Sequence, residues 1–381
     1  MKSLSEISKK RKNFQLGHNT TVDYGFVSYC LDRESSNTNE YFPNKDRGIL
    51  YVGHTGTSGY SIAARGYMFD MIQSGYNVSW SAIEHGESEE KDLYTSLVDS
   101  IRGKDIETEI MILHEPPLGW EYHYERNIHS NIDYTIGFTV WETESLPKEW
   151  VSAMNSPSID EIWCPTNYNK DVFLSSGVEV PIRVVPHVWM GRNLPQIPKN
   201  KKFTFYNISE FIERKGIEDL INIYCQEFNG HDDVQLFLKL HYKTYDGQDS
   251  NYVRDKISEL ISSFRSPPEI KVVFERLSDR EISEIHARGH CYVSLCRSEG
   301  FGLTILDAYN YKIPIVVTGY GGHVEFLGID YPGLIPYEMG KVKNMQKFND
   351  AYTGQEWAYP NLNIAKKMMR REYQKWVKNE N

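Results

Sequence analysis

The stretch Cys296-Arg297-Ser298-Glu299-Gly300-Phe301-Gly302-Leu303-Thr304-Ile305-Leu306-Asp307-Ala308 decides how the chain is read. An apolar run, Cys291 to Leu295, enters it with the character of a buried strand. Gly300 and Gly302 then permit a tight turn with close backbone approach, and Leu303 to Tyr309 leaves as a helix. The unpaired amides and positive dipole end of such a helix favour phosphate. A carboxylate in the loop can accept hydrogen bonds from sugar hydroxyls, which points to Glu299. Asp307 lies eight positions on; at ~100° per residue it falls within roughly 80° of the same helix face, within reach of a ribose diol. The same residues also make an ordinary strand-to-helix turn with a solvated Glu, so the reading depends on what surrounds them.

Working outward, apolar strand-like runs alternate with helical patterns nearly throughout, the mark of an α/β architecture with parallel sheets. Strands are expected at 48–52, 77–83, 109–113, 134–140, 161–164 and 182–185, with a helix over 62–74 after the first. The Pro-rich segment Leu194 to Asn200 reads as a linker. A second series follows at 203–206, 234–240, 270–274, 291–295 and 313–318, with a helix over 217–228. At 381 residues the chain is too long for one ordinary core and fits two domains. The tail 361–377 is a long helical pattern rich in Lys, Arg and Met.

Composition narrows the function classes. A net charge of -10 argues against a nucleic-acid partner, which needs a basic field. The 26 Tyr and 8 Trp lean toward sugar ligands, whose sites favour side chains with an apolar face and a polar tip. The five cysteines, Cys30, Cys164, Cys225, Cys291 and Cys296, contain no CxxC pair, so reduced thiols are expected rather than disulfides or zinc. The first 18 residues lack an apolar h-region and no run of 18 apolar residues occurs, so a cytoplasmic protein with at most peripheral membrane contact is expected. The sequons at Asn19, Asn77 and Asn207 then have no use, and the basic cluster Lys9 to Lys12 is read as a solvated terminus. No Asp-x-Asp and no ligand-spaced His/Asp cluster occurs, so no metal is expected.

Four further segments carry chemistry. In Glu213-Arg214-Lys215-Gly216, adjacent Arg and Lys precede a glycine and a helix start, where they can neutralise a diphosphate. The loop Gly53 to Ser61 is glycine-rich but lacks phosphate-loop spacing; Gly56 and Gly59 are its candidates for letting a ligand lie against the backbone. His114, in His114-Glu115-Pro116-Pro117, ends an apolar strand, where a histidine is either a ligand-facing group or simply hydrogen-bonded. Ser278 and Glu281 have the spacing of a capping box.

Glu299 and Asp307 resemble the E-x7-E signature of the family-4 glycosyltransferases, retaining enzymes of the GT-B fold, with Asp307 in place of the usual second Glu. The resemblance runs in consistent order over residues 48–380. It implies two facing Rossmann-like domains: 1–198 on the acceptor side, 199–355 on the donor side, and a C-terminal helix, 356–381, crossing back to the first domain. By the same match Arg214 and Lys215 bind the donor pyrophosphate, and Gly300, Phe301, Gly302, Leu303, Thr304 and Asp307 line the donor. Arg276 and Leu277 neighbour the nucleobase, and His114 faces the transferred sugar. Gly321, Gly322 and Glu325 are the family's loop after the Pro-Ile-Val strand. Trp141-Glu142-Thr143-Glu144 and Trp163-Cys164-Pro165-Thr166 are similar to a bacterial subgroup tied to glycan assembly, which makes Glu142 an acceptor-side carboxylate or else a plain helix-terminal one.

The implied activity is a retaining transfer of a sugar from a nucleoside-diphosphate sugar, UDP- or GDP-linked, to a glycan, glycolipid or glycoprotein hydroxyl, with no cofactor. The cationic pair would stabilise the departing diphosphate as oxocarbenium character develops, on closure of the domains. A sugar-nucleotide-binding subunit without turnover, or an epimerase or phosphorylase of the same fold, are the alternatives.

Overall fold

The structure, a computed structural model, describes residues 47–84, 93–127, 131–189, 194–242, 250–345 and 350–380. The basic cluster Lys9 to Lys12, Asn19 and Cys30 lie outside them. The described residues form two compact units: one runs to residue 189 without Glu142–Glu144, the other comprises Glu142–Glu144 and the residues from 194 onward.

The first unit carries strands β1 (Ile49–His54), β2 (Val78–Ile83), β3 (Ile110–His114), β4 (Tyr134–Phe138), β5 (Glu161–Cys164) and β6 (Ile182–Val184). Its helices are α1 (Gly59–Gln73), α2 (Leu93–Asp99), α3 (Trp120–Asn127), α4 (Lys148–Met154) and α5 (Asn167–Ser175). All six strands pair in parallel in the order β2-β1-β3-β4-β5-β6. Parallel strands buried on both faces read as continuous apolar runs, as Ile110, Met111, Ile112 and Leu113 do. The chain builds β2 on one side of β1 and β3 on the other, so the order reverses between β1 and β3. Ligands of open α/β sheets bind beyond the carboxyl ends of the strands at such a reversal.

The second unit repeats the plan with β7 (Phe203–Glu210), β8 (Val234–His241), β9 (Glu269–Val273), β10 (Cys291–Ser294), β11 (Ile315–Thr318) and β12 (Leu334–Ile335). They are parallel in the order β12-β11-β10-β7-β8-β9, which reverses between β7 and β10. Its helices are α6 (Ile217–Glu227), α7 (Ser250–Ser262), α8 (Asp279–Arg288), α9 (Leu303–Asn310), α10 (His323–Leu327) and α11 (Leu362–Glu380). In α6, Ile217, Leu220, Ile221 and Tyr224 recur at helical spacing and are buried with Phe205, Leu236, Leu238 and Val293. The expected capping box is present: Ser278 accepts from the Glu281 amide at 3.2 Å and Glu281 accepts from the Ser278 amide at 2.8 Å.

Two features differ from the sequence reading. A hairpin, β13 (Tyr337–Lys341) antiparallel to β14 (Glu356–Pro360), has no counterpart in it; β13 is almost wholly exposed and offers no buried apolar run. Helix α1 starts at Gly59 rather than Ile62, because Ser58 accepts from the Ser61 amide and caps it. The closing helix α11 counts with the second unit, where Ala365 and Met369 are buried in the core. Among the described residues no helix is long and apolar enough to cross a membrane, and Cys164, Cys225, Cys291 and Cys296 are free and buried.

Candidate active site

The reversal between β7 and β10 is where the second unit gathers its charge. After β7 the chain makes a single 3-10 turn, Glu213–Lys215, and passes through Gly216 into α6. After β10 it turns through Ser298 and Glu299 to Gly302, which starts α9 without any side-chain cap. The two turns interlock through the backbone, the Arg297 amide donating to the Arg214 carbonyl at 2.7 Å. Gly216 makes this approach possible. Its φ is 63°, and a Cβ there would lie 2.3 Å from the Leu295 carbonyl oxygen.

The side chains converge as well. Lys215 Nζ pairs with Glu299 Oε1. Arg214, buried, donates from Nη1 to the Ser298 carbonyl at 2.9 Å and pairs with Glu299 Oε2 at 3.4 Å, while Nη2 pairs with Glu142 Oε1 at 3.2 Å. Burial pushes the Glu299 carboxyl up, but Lys215 and Arg214 outweigh it and hold the group below the ordinary carboxylate range. Glu142 also accepts from the Tyr352 hydroxyl at 3.1 Å. It precedes α4 by six residues and sits against Arg214 rather than at the helix end.

The glycines after β11 approach Glu299 rather than open space. The Gly322 amide donates to the Glu299 carbonyl at 2.7 Å, and a Cβ on Gly321 (φ 112°) would meet that oxygen at 2.5 Å. Next to them His323, fully buried, donates from Nε2 to the Thr318 carbonyl at 2.7 Å. Burial lowers its pKa, against the Thr318 bond and the Glu299 charge, which raise it.

The other expected donor residues are placed less directly. Gly300 and Phe301 are buried in the turn, Phe301 against Phe326 at 5.5 Å between ring centroids. Leu303 is half-buried in the first turn of α9, and the Thr304 hydroxyl bonds Tyr292 at 2.8 Å. Asp307, half-buried in the second turn, contributes after burial to the raised pKa of Tyr206. Glu325 lies in α10. Arg276 and Leu277 follow β9, at the sheet's edge, with β8 between it and β7.

In the first unit, β1 and β3 end side by side at the strand reversal, Gly53 opposite His114. His114 is buried, stacked on Phe138 at 4.3 Å, and its Nδ1 bonds the Tyr51 hydroxyl at 2.6 Å. Burial lowers its pKa, helped by His187 and His54, which favours the neutral form. Beside it Glu115 is raised by burial to about 7, with His123 Nε2 at 3.4 Å. The Gly56 carbonyl accepts from Arg65, whereas a side chain on Gly59 would meet nothing within 4 Å.

The sequence reading passed over Arg297, Ser298 and Tyr352 as parts of the site. Arg297 stands inside the decisive stretch, but its partners lie 78 and 84 residues upstream, and nothing local marks a residue whose contacts are that distant.

Comparison with known proteins finds a family match in one part of the chain. Residues 192–343 match the family model described as glycosyl transferases group 1. That span holds both turns, with Arg214, Lys215 and Glu299. No curated protein sequence matches the chain. Among solved structures, sucrose-phosphate synthase from Thermosynechococcus elongatus is similar with a TM-score of 0.54 at 13% identity, over 87% of this chain and 100% of that one. HepE of Anabaena, in complex with UDP and glucose, gives 0.52 at 13% identity over 73% and 82%. A glycosyltransferase from Rickettsia africae gives 0.52 at 15% identity over 87% and 94%. At such identities the likeness is one of fold, and the fold is GT-B, two parallel six-stranded sheets in an α/β layout.

Proposed function

We propose that the protein is a retaining glycosyltransferase that moves a hexose from a nucleoside-diphosphate sugar to an acceptor hydroxyl in glycan or glycoconjugate assembly, acting in the cytoplasm. The observation that carries the reading is the convergence of Lys215 and Arg214 on Glu299 where the strand order reverses. The two cations and the carboxylate satisfy one another. A diphosphate presents the cations with a denser negative charge, and sugar hydroxyls donate to the carboxylate. The α9 N-terminus adds backbone donors for phosphate.

In the transfer step the bond between the anomeric carbon and the diphosphate oxygen breaks, and the electron pair leaves with the diphosphate. Lys215 and Arg214 stabilise that charge as it develops. The acceptor oxygen bonds the anomeric carbon on the same face, and its proton passes to the leaving phosphate oxygen, so no enzyme nucleophile takes part. The reading calls on no metal or cofactor, and full turnover in EDTA is its corollary. Arg276, Leu277, Thr304 and Asp307 complete the donor site, with Asp307 on the ribose. The UDP held by HepE makes a UDP-linked donor the first to try.

The test is calorimetric titration of UDP and GDP into the wild type and Lys215→Ala. Binding of one of them, weakened at least tenfold in the variant, supports the site; equal affinity in both proteins refutes it.

A further inference from the structure

Arg297 takes no part in the proposed transfer step, yet its side chain is heavily engaged beside the cationic turn. It is buried. Its Nη1 donates to both the carbonyl and the carboxylate of Glu213, and its Nη2 pairs with Asp219 at 2.9 Å. The guanidinium lies over Trp357 and Tyr359, 5.4 and 5.0 Å from their ring centroids. Its backbone is committed too, the amide to the Arg214 carbonyl at 2.7 Å and the carbonyl to the Ala358 amide at 2.9 Å.

The turn Glu213–Lys215 is three residues long, and the Gly216 amide donates back to the Glu213 carbonyl at 3.1 Å. So short a turn has little hold on its own conformation, and two long cationic side chains add rotamer freedom. Arg297 supplies the missing constraint. From the Glu299 turn it grips the first residue of the cationic turn by its side chain and the second by its backbone. The hairpin β13–β14 closes over the guanidinium from the other side. Glu213 and Asp219 direct the planar fork, and the two aromatic rings fix its plane.

We infer that Arg297 is a positioning residue: it holds Arg214 and Lys215 in register with Glu299, and so sets the affinity of the site for the diphosphate rather than touching the donor itself. The inference rests on the proposed function, and the experiment separates the two. UDP, GDP, uridine and guanosine are titrated into the wild type, Lys215→Ala, Arg297→Gln, Arg297→Lys and Glu213→Gln, and thermal unfolding is recorded for each.

Arg297→Gln is expected to weaken the diphosphate by about ten- to a hundredfold, the loss of charge-assisted hydrogen bonds, while the phosphate-free nucleoside keeps its affinity. A merely structural defect would weaken both. Arg297→Lys, with charge but no fork, is expected to recover part of the loss, and Glu213→Gln, at a half-exposed partner, to show a smaller loss of the same kind. If Arg297→Gln does not fold, Glu213→Gln decides. Diphosphate affinity lost in Lys215→Ala but intact in folded Arg297→Gln and Glu213→Gln overturns the inference and leaves the function standing. Failure of the wild type itself to bind either diphosphate overturns both.

Discussion

Lys215 Nζ and Glu299 Oε1 form an ion pair across 84 residues of chain, joining the turn after β7 to the turn after β10. Arg214 shares the same carboxylate from its other oxygen. If these groups hold and activate the donor, Glu299→Ala, Arg214→Ala and Lys215→Ala should each lose transfer by roughly a hundredfold or more, with circular dichroism unchanged. Unaltered turnover in all three contradicts the assignment. The pair also has a pH signature. The folded carboxyl of Glu299 titrates below its unfolded value, so its stabilisation is present above the unfolded pKa and is lost as pH falls through the folded one. Acid unfolding of Glu299→Gln should therefore be shallower than that of the wild type.

Glu115 has the opposite sign. Burial raises its pKa from 4.5 to about 7, so the folded state holds the proton over a range in which the unfolded chain has released it. Its contribution is intact below pH 4.5 and is lost as pH rises through about 7. The shift corresponds to about 3 kcal/mol at most. Glu115→Gln should remove this slope, giving a stability nearly flat from pH 5 to about 8 where the wild type declines. A variant profile parallel to the wild type's contradicts the assignment.

Gly216 is a position at which a methyl group should do harm both by strain and by collision. Alanine there must adopt φ 63° and place Cβ 2.3 Å from the Leu295 carbonyl oxygen. Strain and displacement together should destabilise the protein by about 2–4 kcal/mol, read as a lowered urea midpoint, with diphosphate affinity lost as the turn moves. Gly59→Ala is the control: its Cβ meets nothing within 4 Å at the first position of α1. It should be neutral or slightly stabilising.

The sheets were legible because parallel strands buried on both faces leave mainly apolar runs, such as Val234 to Leu240 and Cys291 to Leu295. The two turns were legible because glycine and charge stand directly after such runs. The hairpin β13–β14 was not, since Tyr337, Glu338, Met339 and Lys341 face solvent and leave no apolar signature. Nor were contacts that close only in three dimensions. Glu142 meets Arg214, and Arg297 meets Glu213, through chain separations that no local pattern encodes. At Gly59, cap chemistry at Ser58 extended the helix through a glycine that reads as loop. The approach of Gly321 and Gly322 to the Glu299 backbone is likewise a contact that closes only in three dimensions.

The most direct measurement is release of nucleoside diphosphate from a panel of UDP-, GDP-, ADP- and TDP-sugars by the purified wild type and Glu299→Ala. Slow transfer to water needs no knowledge of the acceptor. Release from one donor, absent in Glu299→Ala, with the freed sugar appearing first in the anomeric configuration of the donor, is the expected result. Release that persists undiminished in Glu299→Ala, or a sugar freed with inverted configuration, would contradict the account.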